Sequence, residues 1–235
     1  MSIKIPSEFD KRLLFMSLSG SHVYNSPNIN SDIDLRGCHI EKTEDILSLH
    51  PPNPTYEKTI GQYDIVSHEI YKFLFLLLKG NGNLYESLYS PIFLYENNNY
   101  IDELKQVAEK ALSKQIYFHY YGFSSHMLSH SYHSEEKRYR KNVLYLFRNL
   151  LSGIHILEKK EFVLNFDELC KLHNFTPDFH FVTMTYQNQA KQLFIQLLEA
   201  KEKSSLKEKV DETDILNANK LLLKIRKENY GMQYD

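Results

Sequence analysis

Asp32 and Asp34 stand one residue apart in Ser31-Asp32-Ile33-Asp34-Leu35-Arg36-Gly37. Side chains two positions apart on a strand point to the same face, so both carboxylates can reach one divalent cation. Their hard oxygens suit Mg²⁺, with Mn²⁺ as the alternative; Mg²⁺ fills the rest of its shell with water and substrate phosphate oxygens. A third carboxylate from a neighbouring strand would complete a two-metal arrangement and help activate an attacking hydroxyl. Asp64, between Tyr63 and Ile65, is the candidate, and Glu69, expected in the following helix, is the weaker substitute. The competing account is a solvated turn, because an isolated D-x-D triplet is common.

Gly20-Ser21 closes the apolar run Leu14–Leu18 about a dozen residues before the acidic pair. Its amides and the Ser21 hydroxyl could form a nest for phosphates, with Gly20 permitting close backbone approach. The alternative is an ordinary tight turn. Arg36 follows the carboxylates in the same register, as an ion-pair partner for them or a phosphate contact. Further along, Lys137, Lys141 and Arg148 share one face of an expected helix. They would serve as a triphosphate-binding face or as a solvated basic stripe. His119, His126, His130 and His133 lack an HExxH pattern and zinc-type cysteines, which argues against a zinc site. Tyr117, Tyr120, Tyr121 and Tyr132 could stack on a base, although aromatic residues in helical bundles more often fill the core.

These residues need a strand–turn–strand frame to hold them. The end of a short helix is expected over residues 7–14, feeding a strand at Leu14–Leu18. A second strand is expected over 33–40, with Ile33, Leu35 and Cys38 opposite the carboxylates, and a third over Gln62–Val66. His50-Pro51-Pro52-Asn53-Pro54 must be a loop. From Ser67 the period changes: Ile70, Phe73, Leu74, Leu77 and Leu78 recur at helical spacing until Gly80. Helices are expected over 83–89, 101–115, 115–131, 135–158, 166–173, 183–203 and 212–229, with a short extended piece at Phe162–Phe166. Lys201–Glu212 reads as a charged helix end or connector. The fold expected is α+β: a small mixed β-sheet core over 1–100 and a helical C-terminal bundle over 101–235 that completes the cleft.

Composition narrows the classes. Hydrophobic residues make up 42% of the 235, enough for a buried core. A net charge of -2 supplies no global basic field, so nucleic-acid binding would be confined to a local groove. Cys38 and Cys170 form no CxxC pattern and suit a reducing compartment. The start MSIKIPSEFDKRLL lacks the apolar core of a signal peptide, and the longest apolar run, Phe73–Leu78, is too short to span a bilayer. A cytoplasmic location and no membrane partner are expected.

Gly20-Ser21-x-x-Tyr24 followed by Ser31-Asp32-x-Asp34-x-Arg36-Gly37 resembles the signature of polymerase-β-superfamily nucleotidyltransferases. More narrowly, it resembles a family of predicted nucleotidyltransferases that includes RNA-ligase-associated proteins. Asp64, the helix Ile70–Leu78 and Lys79-Gly80-Asn81-x-Asn83-x-x-Glu86-x-Leu88 are similar to that family's strand, helix and KGNPNxxE block. His119-Tyr120-x-Gly122 resembles its HYxG, and Arg138-Tyr139-x-Lys141 with Arg148-Asn149-Leu150-Leu151 and Gly153 its YRKxxxHxxRLL helix. The blocks keep their order over about residues 12–165. Asn25 replaces the family's glycine and Asn81-Gly82-Asn83 its Asn-Pro-Asn, changes of turn geometry that leave the carboxylates intact.

The resemblance implies transfer of NMP from an NTP to an acceptor hydroxyl, with release of pyrophosphate. In that scheme Asp32, Asp34 and Asp64 hold metal and activate the acceptor. Gly20, Ser21, Arg36, Lys141 and Arg148 bind the nucleotide. The acceptor would be RNA, in end repair or tailing, or a protein hydroxyl or small molecule. Two rivals are a nucleotide-binding regulator without turnover and an antitoxin-like partner protein.

Overall fold

A computed structural model describes residues 3–7, 9, 11–25, 31–97, 99–131, 136–179 and 185–229, with the side chains of 130, 131 and 136–138 outside that description. Its strands and helices run β1 (Arg12–Ser19), β2 (Ile33–Ile40), α1 (Thr43–Ile46), β3 (Thr55–Ile60), β4 (Tyr63–Glu69), α2 (Ile70–Leu78), α3 (Gly82–Leu88), β5 (Phe93–Glu96), α4 (Ile101–Ala111), α5 (Ile116–Ser131), α6 (Glu136–Lys159), α7 (Phe166–Leu172), α8 (Thr185–Lys203) and α9 (Glu212–Glu228). The protein is α+β. Its sheet has the order β3-β4-β2-β1-β5, in which β2 and β4 are parallel and the other neighbours antiparallel.

The chain forms two compact units, Met1–Ala111 with Val210–Asp235, and Leu112–Lys209. The boundary expected at residue 100 therefore differs from the observed one. α4 and α9, expected in the helical part, belong to the sheet unit because α9 packs on α2 and α4. An ion pair fixes this: Arg226 of α9 donates to Glu69 at the end of β4.

In the sheet unit, α2 and α3 lie against the sheet. Phe73, Leu74 and Leu77 are buried, as their spacing predicts, each contributing about 1.5–3 kcal/mol. Phe15 meets Phe73 and Phe93 edge-on, with ring centroids 5.4 and 5.8 Å apart. Strand β4 passes directly into α2: Glu69 ends the strand and caps the helix, accepting from the Tyr71 amide at 2.8 Å.

The short helix expected over 7–14 does not feed the first strand, because β1 already begins at Arg12 and Leu13 pairs with His39. Ladder pairing outweighs the local pattern there. The strand expected over Gln62–Val66 is β4, and an unexpected strand, β3, pairs with it across a turn at Gly61, with φ +59°. Strand β5 and the single turn α1 were not expected; both are four residues long and carry little periodic signal.

In the second unit, α5, α6 and α8 pack together. A Cβ on Gly153 would lie 2.8 Å from Leu197 and 2.9 Å from the Tyr120 Cβ, so a glycine permits this approach. Among the described residues, Phe162–Phe166 pairs with no strand: Asn165 caps α7, which begins at Phe166. The segment after α8 is a connector tied to its own unit, where the Lys114 amide donates to the Lys207 carbonyl at 2.9 Å. Among the described residues, no helix is long and apolar enough to cross a membrane.

Candidate functional site

The alternation predicted for β2 is observed over its first four residues: Ile33 and Leu35 are buried while Asp34 and Arg36 are partly open. Parallel pairing sets Asp34 opposite Asp64, and antiparallel pairing sets Ser19 on its other side. The row Ser19–Asp34–Asp64 thus crosses three strands at the point where β1 turns away.

Arg36 joins the two carboxylates. Its Nη2 donates to Asp34 Oδ1 at 2.9 Å and to Asp64 Oδ2 at 2.8 Å. Its Nη1 donates to the backbone carbonyls of Leu35 and Asp64 at 2.9 and 2.8 Å. The two accounts of Arg36 therefore meet a definite geometry: here it is an ion-pair partner. The side chains of Asp34, Arg36 and Asp64 are 24%, 28% and 38% exposed, so solvent and ions have access.

Asp32 is exposed and immediately precedes β2. Among the described residues, no three His, Cys, Asp or Glu side chains are arranged to hold a metal ion. Asp34 and Asp64 nevertheless converge on one point, and their oxygens are of the type that Mg²⁺ takes. A divalent cation therefore fits these two carboxylates if Arg36 Nη2 yields its place. Glu69 does not join them: it lies buried at the far end of β4, paired with Arg226.

Gly20 opens a single 3₁₀ turn, Gly20–His22, at φ +66°. A Cβ at this position would lie 1.9 Å from Asp34 Oδ2 and 2.6 Å from its Cγ, so the carboxyl group packs directly on the glycine Cα. Ser21 in the same turn is buried. The turn ends with Val23 and Tyr24 donating their amides to the Gly20 carbonyl, both at 3.1 Å. Asn25, where the family resemblance has glycine, adopts φ +60°, the left-handed backbone that asparagine tolerates.

Two residues of separate motif blocks meet behind this turn. Tyr24 donates its hydroxyl to Glu86 Oε2 at 3.0 Å, and both are buried. The sequence shows both residues but not their partnership, since they lie 62 positions apart. Asn81 caps α3 by accepting from the Asn83 amide at 3.1 Å, as its place before the helix suggests. Ser17 and Ser90 fasten the neighbourhood: Ser17 donates to the Ser87 carbonyl and Ser90 to the Leu18 carbonyl, both at 2.7 Å.

Lys141 and Arg148 lie on α6, in the second unit. Their shared face does not present two cations alike. Lys141 is exposed, with Nζ 5.7 Å from the Tyr145 ring centre, whereas Arg148 is 2% exposed and donates to Asn149 Oδ1 at 3.1 Å. The face runs from solvent into the interior, so the two cations differ in exposure despite their helical spacing. The side chains of His130, Lys137 and Arg138 and the whole of Tyr132 and His133 lie outside the described residues. Of the tyrosines that could stack on a base, Tyr117 and Tyr120 are buried in the core, whereas Tyr121 is exposed.

A family model described as "RNA repair pathway DNA polymerase beta family" matches residues 3–228. Among curated proteins, the uncharacterized protein MJ0002 of Methanocaldococcus jannaschii is 35% identical over 157 residues, which is 65% of this chain and 63% of that protein. The uncharacterized protein YcgL of Bacillus subtilis is 25% identical over 151 residues, 63% of this chain and 58% of that protein. The matched region thus spans about three fifths of each relative's length. Among solved structures, a nucleotidyltransferase-like protein from Exiguobacterium sibiricum 255-15 aligns at 11% identity with a TM-score of 0.27, over 92% of this chain and 74% of that one.

Proposed function

Since the chain belongs to the RNA repair pathway DNA polymerase beta family, we propose that it is a Mg²⁺-dependent nucleotidyltransferase that moves an NMP from an NTP to an acceptor hydroxyl. The acceptor hydroxyl oxygen attacks the α-phosphorus, the bond from that phosphorus to the bridging oxygen breaks, and pyrophosphate leaves. Bound Mg²⁺ would supply charge neutralisation at the triphosphate. Asp34 and Asp64 would hold it, with exposed Asp32 joining when substrate is present. Asp64, on the strand beside that of Asp34, would take the hydroxyl proton. Gly20 lies against Asp34, and the Gly20-Ser21 turn would receive phosphate oxygens. For Lys141 and Arg148 of α6, nucleotide-binding roles follow from the family resemblance.

The observation that carries this proposal is the convergence of Asp34 and Asp64 beneath a turn that only glycine allows. RNA is the acceptor class we favour, on the family's description. The test is incubation with each α-labelled NTP, Mg²⁺ or Mn²⁺, and total RNA plus lysate protein. Label entering RNA, and lost in a folded Asp32→Ala/Asp34→Ala variant, is the expected result. Label entering a protein band would keep the chemistry and change the acceptor, as an antitoxin-like role requires. Nucleotide binding without pyrophosphate release would favour a regulator, and turnover retained in the double variant would remove the carboxylates from the chemistry.

A further inference from the structure

Asp34 and Asp64 face each other across parallel strands, where two carboxylates repel unless a positive charge lies between them. Arg36 supplies that charge in a particular way. Its Nη1 is held by two backbone carbonyls, which aim Nη2 at both carboxylates without depending on either. The planar fork of a guanidinium allows this.

We propose that Arg36 is a positioning residue that stands in for the divalent cation: Nη2 holds Asp34 and Asp64 together in the ion-free site and competes with the incoming ion for them. This rests on the metal-dependent transferase proposed above. An ion that takes both carboxylates must displace Nη2, while the carbonyl anchors on Nη1 keep the guanidinium at hand. Exchange of one cation for another avoids ever exposing the carboxylate pair uncompensated. Arg36 therefore lowers affinity for the free ion and keeps the pair ordered in its absence.

The test is Mn²⁺ binding without nucleotide, measured by electron paramagnetic resonance on the full chain, for wild type, Arg36→Met, Arg36→Lys and Asp34→Asn. Circular dichroism and thermal midpoints with and without Mn²⁺ accompany it. Arg36→Met is expected to bind Mn²⁺ at least about tenfold more tightly than wild type. Its midpoint should fall without the ion and rise further than wild type's when Mn²⁺ is added. Arg36→Lys should fall between the two, because an ammonium can meet the carboxylates but has no second nitrogen for the carbonyls.

Asp34→Asn should weaken binding throughout. A folded Arg36→Met protein with affinity equal to or weaker than wild type overturns the stand-in role, and the transferase proposal survives if Asp34→Asn still weakens binding. Should Arg36→Met fail to fold, unchanged affinity in Arg36→Lys overturns the role equally. Absence of Mn²⁺ binding in every variant overturns the stand-in role, while the label-transfer experiment decides the transferase proposal separately.

Discussion

The Asp34 carboxylate rests against the Gly20 Cα so closely that an added Cβ would lie 1.9 Å from its Oδ2. Gly20 also holds φ +66°, where a side chain is strained even with room around it. Gly20→Ala should therefore cost about 2–4 kcal/mol in stability, combining backbone strain with the shift forced on Asp34. Denaturant unfolding measures the first effect. Label transfer should fall more steeply than the folded fraction, since the carboxylate itself moves, and a variant with normal transfer per folded molecule would refute the coupling.

Tyr24 and Glu86 tie the turn to α3 through a buried hydrogen bond to a carboxyl group. Tyr24→Phe keeps the ring and removes only the donor. The expected loss is about 1.5–3 kcal/mol, the range for a hydrogen bond to a charged group. A double-mutant cycle with Glu86→Leu, which removes the acceptor, checks it: coupling near zero would mean that the pair is close without contributing to stability.

Arg226 and Glu69 form an ion pair whose side chains are 12% and 2% exposed. Burial raises the Glu69 carboxyl above its ordinary range, and the Arg226 charge and the Tyr71 and Glu41 amides pull against that rise. Arg226→Met strands a buried carboxylate and should cost about 3–5 kcal/mol. Adding Glu69→Gln should recover part of this loss. Equal destabilisation in the single and double variants would show that packing, rather than charge, sets the cost.

The face shared by Asp34 and Arg36 is legible in the sequence, because two-residue strand periodicity sets them opposite Ile33 and Leu35, whereas Asp32 lies just before the strand. Helix α2 was legible from its apolar spacing and its stop at Gly80. What stayed hidden depends on contacts between distant segments. The Arg36 fork reaches Asp64 across 28 positions, and Arg226 reaches Glu69 across 157. Neither leaves a periodic trace. Arg148 illustrates the limit from the other side: helical spacing groups it with Lys141, but only packing shows that one is buried and the other exposed.

His68 of β4 is held neutral, its pKa pushed down to about 4 chiefly by burial and further by the Lys72 and Arg36 charges. Its Nδ1 lies 3.1 Å from the Thr55 hydroxyl, which Lys72 also contacts. The unfolded chain has an ordinary histidine near pH 6.5, so between about pH 6.5 and 4 it binds more protons than the folded one. Stability must then fall as pH is lowered through that window. Partial exposure and screening reduce the effect to about 1–2 kcal/mol. Glu69, with its raised pKa, works in the opposite sense, because its folded form binds the extra proton. The difference between wild type and His68→Gln isolates the histidine. Urea midpoints at pH 7 and pH 4.5 should converge between the two proteins as pH falls, with wild type losing more. Parallel curves would show that His68 is not held neutral by the fold.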